Sequence, residues 1–173
     1  MLATDPSVIR IGLTLPMRTQ NNYARGILQS GSAGSEPFSA AGLNGTGIIL
    51  GVADTGIDML HCSFRDLVHG ATPPCDAERP KVDLKYRKVV QYVNFSGSTG
   101  DTSSGHGSHV SGSLAGYCLP NDPQGQSGGN LYSGMAPAAK LAFFDIGVYQ
   151  PVGDLVVPED FGNYLYPPNY YAG

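Results

Sequence analysis

Short apolar runs separated by longer polar, glycine-rich stretches set the pattern of this chain. Gly47 to Ala53, GIILGVA, is nearly continuous in apolar residues and bounded by turn formers, which predicts a strand buried on both faces with Asp54 at its carboxyl end. Arg87 to Phe95, RKVVQYVNF, regains β-branched and aromatic character and predicts a second strand. In APAAKLAFFDIGV the core from Leu141 to Ile146 predicts a third, buried strand. Between these, GHGSHVSGSLAGYC places Val110, Leu114 and Ala115 near helical spacing among small residues, which predicts a helix from about His106 to about Tyr117. Glycine inside a helix costs roughly 1 kcal/mol relative to alanine, so Gly112 and Gly116 are expected to have a packing reason, close approach to a sheet.

The remaining segments read as connections. Residues 1–45 are polar and rich in small side chains, and are expected to form an extended N-terminal segment ending in a turn at Asn44-Gly45. Cys62 to Lys85 is polar and aperiodic, carries Pro73-Pro74, and reads as a surface insertion. Strand, strand, helix and strand in that order predict an α/β sheet with helices packed on it. No internal repeat is apparent.

Composition narrows the function. The 173 residues suffice for one domain with a real core, and 41% hydrophobic against 14% charged positions describes a globular, loop-rich chain. A net charge of −4 with no basic stripe argues against nucleic acid as a partner. The short cluster of Lys81, Lys85, Arg87 and Lys88 reads as a solvated face. No run is long and apolar enough to span a bilayer, and the first residues lack a basic start followed by an apolar core, so no export signal is visible. The three cysteines cannot all pair within the chain, and no CxxC spacing suggests zinc. If the protein is exported, Cys62 and Cys75 are candidates for a bridge closing the loop between them.

Two polar groups stand out by position. Asp54 at the end of one strand and His106 at the start of a helix both face the crevice at the carboxyl edge of an open α/β sheet. A carboxylate bonded to one imidazole nitrogen fixes the tautomer and leaves the other nitrogen to take a proton from a hydroxyl nucleophile and later return it. In that reading Asp54 orients and His106 is base and acid, while Gly105 and Gly107 let backbone approach closely. Plainer readings exist for each. An aspartate after a strand often caps the following turn, His106 with His109 has admissible metal spacing but no third ligand nearby, and Asp58 reads as a loop group. Asp145 could line a substrate cleft, although a solvated strand-end carboxylate is the simpler reading.

These same segments resemble a known family. GTGIILGVADTGID is similar to the aspartate motif of subtilisin-like serine peptidases, GHGSHVSGSLAG to their histidine motif, and YSGMAPAAKLAFFDIG to the Gly-x-Ala-Pro strand that follows. The motifs occur in the family's order, 52 residues separating Asp54 from His106. Ser108 and Ser111 stand where many members carry Thr and Ala. The resemblance implies a subtilisin-like parallel sheet with helices on both faces, polypeptide substrates, catalytic roles for Asp54 and His106, and a secreted or endomembrane location. It also raises calcium as a structural ion, for which Asp66, Asp76, Glu78 and Asp83 are candidates, although no compact calcium loop is present; no other cofactor is evident. The family's Gly-Thr-Ser motif is absent from these 173 residues. The Ser-Gly-Ser triplets beginning at Ser30, Ser96 and Ser111 lack its context. The expectation is therefore that 46–173 is the N-terminal portion of a catalytic domain, incomplete at the C-terminus and inactive alone. A non-catalytic binding protein on the same fold is the alternative. An aspartic peptidase using Asp54-Thr55-Gly56 is a further one, but it leaves GHGSHVSG unexplained.

Overall fold

The computed structural model describes residues 21–70, 75–76, 82–95, 97, 100–102, 104–123, 132–148 and 155–159. Its strands are β1 (Ile49–Asp54), β2 (Cys75–Asp76), β3 (Val89–Asn94) and β4 (Lys140–Asp145), and its helices α1 (Asn21–Ser30), α2 (Pro37–Ala40) and α3 (His106–Ala115). The strands form one parallel sheet in the order β1-β4-β3-β2. The α/β architecture is as expected, and β4 lies at the centre with Leu141, Ala142, Phe143 and Phe144 almost wholly buried.

Strand parity decides what faces the site. Successive side chains alternate between faces, so Leu50 and Val52 share a face with Asp54, while Ile49 and Ala53 point to the other. On the first face Val52, Leu141, Phe143 and Tyr92 pack with Ala115, Val110 and Leu114 of α3. Phe143 and Tyr92 stack there with ring centroids 5.6 Å apart. Each such side chain contributes about 1.5–3 kcal/mol by leaving water, so this layer fixes α3 on the sheet. A register shift between Val89 and Gln91 turns the strand and brings Val89 and Tyr92 to the same face despite their odd separation. The opposite face holds a smaller cluster of Val93, Ala142 and Phe144 with Ile49 and Ala53.

Several expectations need correcting. Strand β1 is not buried on both faces: among the described residues it pairs only with β4, and Gly51 is exposed. The N-terminal segment is not extended from residue 21 on. Helix α1 is held by contacts distant in sequence, its Arg25 pairing with Glu36 at 2.7 Å and reaching the Ser133 and Gly134 carbonyls. The turn at Asn44-Gly45 is present, with Gly45 at φ 88° and the Asn44 side chain accepting from the Thr46 amide. Residues 1–20 lie outside the described residues.

The basic cluster is largely not a solvated face. The Lys88 ammonium, 3% exposed, donates to the Pro137 and Ala139 carbonyls, and burial with help from Arg87 and Lys140 pulls its pKa down to about 7. Arg87 is half-buried and donates to the Arg65, Tyr117 and Cys62 carbonyls. Lys85 is exposed beside Asp83, and Lys81 lies outside the described residues.

The disulfide joins Cys62 to Cys118, not to Cys75. Helix α3 runs back from the site and returns the chain to the segment after β1, and Arg87 bonds the carbonyls of both Cys62 and Tyr117 at that junction. The bridge therefore ties the end of the histidine helix to the loop that follows the aspartate strand. Asp122 pairs with Arg65 through both carboxylate oxygens beside it.

Candidate active site

Asp54 closes β1 and points toward α3, on the face that parity assigns it. Its Oδ1 accepts the Thr55 amide at 2.7 Å and lies 2.8 Å from His106 Nδ1. A carboxylate accepts, so Nδ1 carries the proton and Nε2 is left as the acceptor. The Asp54 side chain is 11% exposed and that of His106 64%, an inner carboxylate with an outer, accessible base. The hydrogen bond that Asp54 accepts and its charge, with a smaller contribution from Asp101, raise the His106 pKa above the ordinary histidine value. Asp54 is thus paired with an imidazole, which is not the pairing an aspartic peptidase needs.

The glycines beside His106 differ in role. Gly105 is the α3 N-cap at φ 67°, a conformation that disfavours other residues, and a Cβ there would meet no other atom within 4 Å. Gly107 has ordinary helical geometry, but a Cβ on it would lie 2.0 Å from the Gly56 carbonyl oxygen. Gly56 in turn, at φ 120°, allows no Cβ because the Gly100 oxygen would be 2.0 Å away. Three backbone segments thus approach too closely for a Cβ at Gly56 or Gly107: the turn after β1, the 100–101 loop and the first turn of α3. It is backbone from the turn after β1 that approaches Gly107.

Sequence reasoning missed Thr55 and Asp101. The Gly107 amide donates to Thr55 Oγ1 at 3.0 Å, and the Ser108 amide to Asp101 Oδ2 at 2.7 Å. Thr55 Oγ1 also lies 2.8 Å from Asp101 Oδ1. A glycine N-cap followed by amides with no intrahelical partner was the signal available, since those donors need acceptors from elsewhere. Ser108 Oγ accepts the Asp58 amide at 2.7 Å, a bond a threonine would make equally, while Asp58 Oδ1 accepts the Leu60 amide in a loop role.

Other candidates fall outside this group. Asp145 is 0% exposed, neither solvated nor on the groove described below, and its Oδ2 receives the Tyr92 hydroxyl at 2.5 Å. His109 is exposed on α3. It lines an open groove of about 1170 Å³ with Met59, Leu60, Phe64 and Tyr132, beside the Asp54 and His106 pair and not over it. Among the described residues no three His, Cys, Asp or Glu side chains converge as metal ligands. Of the calcium candidates, Asp66 is committed elsewhere. Burial would raise its pKa, but the His69, Val68 and Arg87 amides and the His69 ring outweigh this and hold it at about 2. Asp83 pairs with Lys85, Glu78 lies outside the described residues, and so does the Asp76 side chain.

The model of the subtilase family matches residues 45–158. Three proteins of Dictyostelium discoideum, each described as a serine protease/ABC transporter B family protein, are similar to about three quarters of this chain. The first, tagD, is 40% identical over 131 residues, 76% of this chain and 7% of that protein. The second, tagB, is 38% identical over 133 residues, covering 76% of this chain and 6% of that protein, and tagA is 37% identical over 131 residues. The chain thus spans 6–7% of the length of these relatives. No solved structure matches.

Proposed function

The chain belongs to the subtilase family of serine peptidases, and on that premise we propose that it carries the orienting aspartate and the base of a serine endopeptidase acting on polypeptides. The observation that carries this is the 2.8 Å bond between Asp54 Oδ1 and His106 Nδ1, joining residues 52 apart that stand in the family's order. Held as the Nδ1–H tautomer, His106 presents Nε2 to a serine hydroxyl, takes its proton as the oxygen attacks the scissile carbonyl, and returns it to the leaving amine. Asp54 stabilises the imidazolium formed between those steps.

These 173 residues contain no Gly-Thr-Ser motif, and in this reading they cleave nothing by themselves. The purified chain incubated with casein is expected to give no cleavage above background. Cleavage blocked by a serine-directed fluorophosphonate would overturn the placing of the nucleophile outside these residues. Cleavage blocked by pepstatin would overturn the role of Asp54 in favour of an acid pair. The Cys62–Cys118 bridge supports a place in an oxidising compartment, where disulfides persist.

A further inference from the structure

We propose that Asp101 is a positioning residue for His106, pinning the first turn of α3 to the turn after β1 so that the imidazole meets Asp54. The inference rests on the reading of Asp54 and His106 as a catalytic pair.

Hydrogen-bond direction makes the case. An amide only donates, so Thr55 Oγ1 accepts from Gly107 and its single proton is left for Asp101 Oδ1, 2.8 Å away. The same Oδ1 accepts the Thr102 amide at 2.8 Å, while Oδ2 accepts the Ser108 amide at 2.7 Å. Asp101 therefore holds both partners: Thr55, which follows Asp54, and the helix turn that begins with His106. Its two oxygens face different elements, so translation or rotation of α3 relative to β1 would break at least one bond. Gly105, the N-cap, has no side chain to supply this anchor itself.

The loop bearing Asp101 is held in turn. The Gly100 amide donates to the Tyr92 hydroxyl at 3.2 Å, and that hydroxyl sends its proton to buried Asp145 at 2.5 Å. This gives Asp145 a role: it anchors Tyr92, which anchors the loop, which orients the helix. The negative charge of Asp101 also favours the protonated form of His106.

A purely structural cap would make the same contacts, so the test must read the imidazole. In the 173-residue chain, imidazole ¹⁵N shifts of His106 followed against pH give both its pKa and its share of the Nδ1–H tautomer. Asp101→Ala and the near-isosteric Asp101→Asn are each expected to lower the pKa. Both are also expected to reduce the Nδ1–H share, with the disulfide intact and native methyl dispersion retained. Asp54→Asn serves as the reference that removes the acceptor itself. An unchanged titration and tautomer in both Asp101 variants, with both moved by Asp54→Asn, would leave Asp101 a cap and overturn the inference. Unfolding of both Asp101 variants would overturn it too, by making the residue a requirement of the fold. No response to Asp54→Asn would instead overturn the catalytic pair beneath it.

Discussion

Replacing His106 by Ala is expected to lower kcat by about 10⁶ in a chimaera in which residues 45–158 replace the matched segment of an active subtilase. The magnitude is the one known for subtilisin, the family's reference enzyme, carried over to this chain. Its physical basis is visible here. Without the imidazole the described residues around Asp54 Oδ1 offer no replacement base: the Thr55 amide only donates, and Asp101 Oδ1 already accepts from the Thr55 hydroxyl and the Thr102 amide. Asp54→Ala in the same chimaera should cost less, on the order of 10⁴ to 10⁵, because a base remains but loses its fixed tautomer and the partner that stabilises its charge. Assay on a peptide substrate gives both numbers. Similar, small losses in the two variants would contradict these roles.

The second large effect is structural. Gly107→Ala ought to stabilise an ordinary helix by about 1 kcal/mol, because alanine is the better helix former and Gly107 already has helical geometry. Here the new methyl would sit 2.0 Å from the Gly56 carbonyl oxygen, a backbone atom that cannot swing aside as a side chain would. Overpacking typically costs about 1–3 kcal/mol, and the only relief is to move α3 away from the turn after β1. That movement stretches the Gly107 to Thr55 bond and carries His106 from Asp54. The expected result is a lower midpoint in urea together with a His106 pKa closer to the ordinary value. A stabilised variant would show that the close approach is not real.

Much of this was legible in advance, and the parts that were not share a cause. The apolar runs placed β1, β3 and β4 within a few residues, and the register of β1 with β4 puts Asp54 level with Asp145 at the carboxyl edge. Asp54 and His106 could be read because each sits at an element boundary beside glycines. What local pattern could not show was what lies across from a residue. Lys88 looked like a surface charge because the carbonyls of Pro137 and Ala139 that receive it arrive from far along the chain. Helix α1 leaves Tyr23, Ile27 and Leu28 exposed and is held instead by Arg25 reaching Glu36 and the loop before β4. Along the chain Cys75 is the nearer partner for Cys62, and only the return of α3 decides the pairing for Cys118. Asp101 and Thr55 were hidden for the same reason: their partners are amides of α3, 7 residues along the chain from Asp101 and 52 from Thr55.

The sign of the pH dependence ties the geometry to the chemistry. The folded pKa of His106 is raised by Asp54, so their attraction is fully present below the unfolded value near 6.5 and is lost as pH rises through the folded pKa. The base form appears over that same upper range, so proteolysis by a completed triad would rise there. The most direct measurement is the titration of His106 imidazole ¹⁵N shifts in the wild-type chain and in Asp54→Asn. The structure predicts a wild-type pKa above 6.5 with the neutral ring as the Nδ1–H tautomer, and in the variant a lower pKa and a loss of that preference. The same pKa and tautomer in both proteins would contradict the pairing of Asp54 with His106, and the peptidase reading with it.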